Sequence, residues 1–80
     1  MAEFPALPLW TDAYLADTRH LSVREHGAYL LLLMEAWRRP SCRLPDDDRL
    51  LARLACCTPD EWAEVKPAVM AFWRFDARAR

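Results

Sequence analysis

The segment from Ser22 to Pro40 constrains this chain more than any other. Ser22 and Glu25 form a capping box: the serine hydroxyl accepts from a backbone N–H three residues on, and the glutamate reaches back to the cap. The pair predicts a helix from Val23 to Arg39. Pro40, which has no N–H, ends it. Val23, Gly27, Leu30, Met34 and Trp37 recur at 4-3-4-3 spacing on one face, and Tyr29, Leu32, Leu33 and Ala36 widen it into a second apolar flank. A helix apolar on two sides needs cover on both, which places it at the centre of a bundle. Gly27 falls in the predicted seam, where its missing side chain would admit another element closely and offset a helix penalty of about 1 kcal/mol.

The chain has 80 residues, one of them glycine. That length suits one domain, and a domain so small buries only about 60% of the surface its unfolded chain exposes. Helices suit it because their backbone hydrogen bonds close locally. The apolar share is 54%, above the ~45–50% usual in soluble domains. Some apolar surface is therefore expected outside, as a contact for a partner or for a second copy.

The remaining elements follow from local signals. Residues 1–10, with Pro5 and Pro8, read as an extended strap anchored by Phe4, Leu7, Leu9 and Trp10. Thr11 is the expected cap of a short helix over 12–17 with Tyr14 and Leu15 inward. Residues 40–45 form a turn with an extended pair at Arg43 and Leu44. Asp46, Asp47 and Asp48 open a helix over 47–55, where carboxylates complement the helix dipole. Leu50, Leu51 and Leu54 face inward there, and Arg49 and Arg53 share the outer side. Thr58, Pro59 and Glu61 start a last helix with a second capping box. Trp62, Val65, Val69, Phe72 and Trp73 are its inward stripe, and Pro67 is expected to kink or split it. Residues 74–80 read as a short strand or a loose basic tail. The predicted core is Leu30, Met34, Trp37, Leu50, Leu54, Trp62, Val65 and Val69.

Several functions lack the residues they need. The formal net charge is −1, whereas a nucleic-acid binder normally clusters Lys and Arg to displace counterions. The longest apolar run, Ala28 to Met34, is far short of the ~20 residues that span a bilayer. The amino terminus lacks the basic start of a signal peptide, so a cytoplasmic protein is expected. Cys42, Cys56 and Cys57 make no CxxC pair, and buried or half-buried thiols are the simpler reading. Asp46 to Asp48 have no converging partners, and His20 and His26 do not share a helix face. No nucleophile has a base beside it and no glycine loop exists to hold phosphate. The expectation is a protein without catalysis, metal or cofactor.

One ordered set of residues goes further. It comprises Trp10, the run Asp12 to Thr18, His20-Leu21-Ser22, Glu25, Gly27-Ala28-Tyr29 and the Leu-rich helix to Trp37. It continues with Leu44-Pro45-Asp46-Asp47-Asp48, the Leu-Ala-Arg-Leu of 51–54, Glu61-Trp62 and Pro67. From Pro8 to Trp73 the chain thus resembles the YdaU-like prophage domain of unknown function. The resemblance implies a helical, winged-helix-like fold without enzymatic activity, found beside or fused to phage replication initiators and helicase loaders. The helix over 59–72 would stand where a recognition helix stands. Family members usually continue past Phe72-Trp73 into a hairpin, the wing; here a reduced or missing wing is expected, and Ser41-Cys42 stand where glycines would be expected.

The expected fold is therefore mainly α: a small helical bundle, winged-helix-like with a reduced or missing wing. The expected function is that of a non-catalytic, phage- or prophage-derived binding module, by resemblance a replication accessory acting through protein contacts, with DNA contacts as a secondary option. The alternative is a stand-alone phage inhibitor of host defence, such as an anti-CRISPR protein that blocks a nucleic-acid channel with its acidic last helix. The partner is then a replication protein, a host defence complex or a second copy. The candidate contact residues are Arg24, Leu31, Glu35 and Arg38 on the central helix, Arg49 and Arg53 on the next, and Asp60, Glu61 and Glu64 on the last. Those last three would repel phosphates. Nucleic acid should therefore bind weakly at most, through Arg74, Arg78 and Arg80.

Overall fold

Local capping fixes where the helices begin. In the computed structural model, which describes residues 6–73, the order is α1 (Thr11–Thr18), α2 (Val23–Trp37), α3 (Asp48–Leu54) and α4 (Pro59–Met70). Ser22 Oγ accepts from the Glu25 N–H at 3.1 Å and Glu25 Oε1 accepts from the Ser22 N–H at 2.8 Å. Thr58 and Glu61 repeat the arrangement at 3.2 and 2.8 Å, with Pro59 in the first turn. Asp47 caps α3 by accepting from the N–H groups of Arg49 and Leu50. α1 differs from expectation: Thr11 is already helical, and Trp10 occupies the cap position without a side-chain bond.

α3 ends in a Schellman motif, with Cys57 N–H donating to Ala52 O and Cys56 N–H to Arg53 O. Such a motif needs a left-handed residue, ordinarily glycine, and here Cys56 takes it at φ 58°. Cys42 has the same conformation at φ 55°, in the loop where glycines were expected. Pro67 neither splits nor ends α4. Its ring and Ala63, whose carbonyl loses a helical donor, are both exposed, so solvent replaces the missing partner. Among the described residues there is no strand: Arg43 and Leu44 lie in an irregular loop. The expected strand or tail over 74–80, and Phe4 of the strap, fall outside the described residues.

The core corrects the predicted seam. Ala28 and Leu32 of α2 meet Leu51, Ala52 and Ala55 of the α3 region and Trp62, Val65 and Val69 of α4. Ala36 is buried one turn further on. Of the predicted core, Trp62, Val65 and Val69 are buried, whereas Leu30, Trp37, Leu50 and Leu54 are half-buried and Met34 is exposed. Val23 is 88% exposed, and a Cβ built on Gly27 would meet nothing within 4 Å. α2 is thus rolled so that Leu32 enters the core while Val23 and Met34 point away from α3 and α4. Volume explains the choice. Trp62, Val65 and Val69 fill the space beside α2, and alanines on the facing stripe let the helices approach. The strap differs too, since Leu9 and Trp10 are exposed, the latter at 81%, as is Leu15 of α1.

An aromatic row joins α1 to the rest. Tyr14 stacks on Tyr29, Tyr29 on Phe72 and Phe72 on His20, with ring centroids 5.0–6.0 Å apart. The Tyr14 hydroxyl and His26 Nδ1 are hydrogen-bonded at 2.8 Å. Burial raises the Tyr29 hydroxyl pKa above its ordinary value, with the neighbouring Tyr14 and Asp17 adding to it.

Two substitutions on α2 should act in opposite directions. Leu32→Ala removes a fully buried side chain and should cost about 2–5 kcal/mol. Gly27→Ala places a methyl group in open space and should stabilise by about 0.5–1 kcal/mol. Urea denaturation of both variants checks this; a loss at Gly27→Ala, or no loss at Leu32→Ala, would mean that the helix is rolled the other way.

Candidate functional site

Two surfaces stand out among the described residues once the core is assembled. The first is the outward face of α2, where Val23, Gly27, Leu30, Met34 and Trp37 follow one another by helical spacing. Val23 and Met34 are exposed, Leu30 and Trp37 half-buried. Exposed Leu9, Trp10 and Leu15 lie in and just before α1. Large apolar side chains are thus exposed on α2, on α1 and just before α1.

The second surface is a groove of about 540 Å³ between α3 and α4. Arg49 and Arg53, one turn apart, line its α3 side, and Ala52 and Trp62 form its floor. Pro59, Ala63 and Pro67, also a turn apart, make the α4 side. Asp48 and Lys66 lie among its lining residues. Asp48 Oδ1 accepts from Trp62 Nε1 at 3.1 Å and from Lys66 Nζ at 2.8 Å. The Lys66 bond, then the Trp62 bond, hold the Asp48 carboxyl below its ordinary pKa. Burial raises the pKa of the Cys57 thiol, which also lines the groove. A further cleft of about 400 Å³ is lined by Leu44, Leu51, Met70 and Trp73.

The candidate residues distribute unevenly over these surfaces. Arg24 pairs with Glu64 of α4 at 2.9 Å, tying α2 to α4 beside the core. Leu31 and Glu35 are half-buried and Arg38 is exposed. Arg49 and Arg53 are exposed and belong to the groove. Asp60 is exposed; Glu61 is engaged in its capping box, and the Thr58 backbone N–H lowers its pKa. Arg74, Arg78 and Arg80 lie outside the described residues. Among the described residues no group of three His, Cys, Asp or Glu is placed to hold a metal ion, and no helix is long and apolar enough to cross a membrane. Sequence reading missed the double role of Asp48. It also missed the Pro59–Ala63–Pro67 rail, whose four-residue spacing was visible but resembled an ordinary outer face.

Asp48 gives the fold an acid limb. Its pKa is depressed in the folded state, so its contribution is present above its ordinary value of about 4 and is lost as pH falls through the folded value. Asp48→Asn should lower the melting temperature at neutral pH, and the gap to the unsubstituted protein should close as pH falls below about 4. A gap that stays constant through acid would show that the carboxylate charge contributes nothing.

Residues 7–79 match the family described as "Protein of unknown function (DUF1376)". "Uncharacterized protein YdaU" of Escherichia coli (strain K12) is 42% identical over 73 residues, covering 91% of this chain and 25% of that relative. The chain thus spans about a quarter of that relative's length. No solved structure matches. With the family match running over nearly the whole sequence and that identity beside it, the chain belongs to the DUF1376 family and is similar to YdaU.

Proposed function

We propose that this domain is a non-catalytic protein-binding module whose contact surface is the outward face of α2. The observation that carries the reading is the orientation of that helix. Val23 and Met34 are exposed and Gly27 faces open space, on the side of the central helix opposite the buried Ala28, Leu32 and Ala36. Apolar patches of this kind mark association surfaces. Gly27 supports the same reading. A mid-helix glycine weakens a helix by about 1 kcal/mol, and no described residue comes within 4 Å of the space it leaves; close approach of a partner backbone would fill it. By the family resemblance, the partner this reading favours is a phage replication protein, an initiator or a helicase loader, with a second copy of the chain as the other option. The acidic last helix is one of three supports of the defence-inhibitor alternative, beside small size and a missing wing and basic tail; there Glu64 pairs with Arg24 and Glu61 caps its own helix, and no specific observation favours that alternative.

Val23→Asp combined with Met34→Asp tests the face without touching the core. The double variant should melt within about 0.5 kcal/mol of the unsubstituted protein, as exposed substitutions do. It should lose association, read as mass by light scattering and as retention on immobilised replication initiator and helicase loader. Unchanged mass and retention would overturn the proposal.

A further inference from the structure

We propose that the α3–α4 groove is a second binding site, which takes a short acidic segment of a partner protein. Its two sides differ in chemistry. Arg49 and Arg53 present exposed guanidinium groups on one side. The facing rail of Pro59, Ala63 and Pro67 carries no charge and no long side chain to fill the space. The floor of Ala52 and Trp62 is apolar, apart from the indole N–H that Asp48 already accepts. The Asp48 carboxylate, paired with Lys66, adds little net charge. The groove is therefore cationic in a domain whose chain carries a formal charge of −1.

That asymmetry selects the occupant. A carboxylate pairs well with a guanidinium fork, and an apolar side chain next to it would rest on the alanine and proline surfaces. Nucleic acid fits less well, because phosphate binding needs many cations in a row. Here two arginines stand alone beside a lysine that is already paired. Pro67 points the same way. An interior proline costs a helix about 3 kcal/mol, and its exposed ring covers no part of the core. As a rigid wall of the groove the ring has a use.

The site is independent of the α2 face, so its test must not move with that face. The probe is a synthetic peptide, Glu-Glu-Leu-Leu-Glu-Glu, titrated into the whole chain and followed by backbone amide and Trp62 indole NMR signals. Saturable shifts should centre on Arg49, Ala52, Arg53, Trp62 and Ala63. The peptide with Gln for each Glu should give none. Arg49→Gln with Arg53→Gln, both exposed, should keep the fold by circular dichroism and weaken binding roughly tenfold, the sum of two exposed pairs. Met34→Asp should leave it unchanged. Absent or scattered shifts, or equal binding by the double variant, would overturn the proposal. Tighter binding of an oligothymidine strand at the same residues would reassign the groove to nucleic acid.

Discussion

The fold depends on how closely α2 approaches α4. Leu32, fully buried, lies between Ala28 and Ala36 on a single stripe of α2, and Ala28 and Leu32 meet Trp62, Val65 and Val69. Small residues on one helix receive large residues from another, so a chain of this size can reach the density that a core requires. α3 repeats the device with Ala52 and Ala55 around Leu51. Ties at the edge of the contact hold the roll of the helices. Arg24 reaches Glu64 on one side, and Asp48 reaches Trp62 and Lys66 on the other. Exposed pairs of this sort add little energy singly, but each is satisfied in one orientation.

This roll sets the character of the surface. Because Ala28, Leu32 and Ala36 serve the core, Val23 and Met34 are left for the outside of α2, as Leu9 and Trp10 are on the segment leading into α1. The apolar surplus in the composition is accounted for by that division. It also separates the two proposed contact surfaces. One is apolar and lies on α2; the other is cationic along one wall and lies between α3 and α4.

What could be read from the sequence was what is decided locally. Both capping boxes, Pro59 in its first turn and the dipole-complementing aspartates are determined within four residues, and each has its expected place. The face of α2 was not legible. Its residues are apolar on both sides, and periodicity finds a stripe without saying which stripe is covered. The decision belongs to the volume of side chains on α4, far along the chain. The same distance hides the Arg24–Glu64 pair, and Asp48 looked like a capping residue because its partners lie a helix further on. The outer placement of Arg49 and Arg53 was legible from spacing; that a proline rail faces them across a groove was not. Pro67 was read as a breaker because its solvent-facing ring is a property of the folded helix.

The most direct test of the account is solvent exposure along α2, measured without any substitution. A soluble paramagnetic gadolinium chelate added to the dilute, methyl-labelled chain broadens the signals of methyl groups that water reaches. The account predicts strong broadening at Val23 and Met34, and protection at Ala28, Leu32 and Ala36 equal to that of Val65 and Val69. Protected Val23 and Met34 together with a broadened Leu32 would contradict it, and would place the seam where the larger side chains lie.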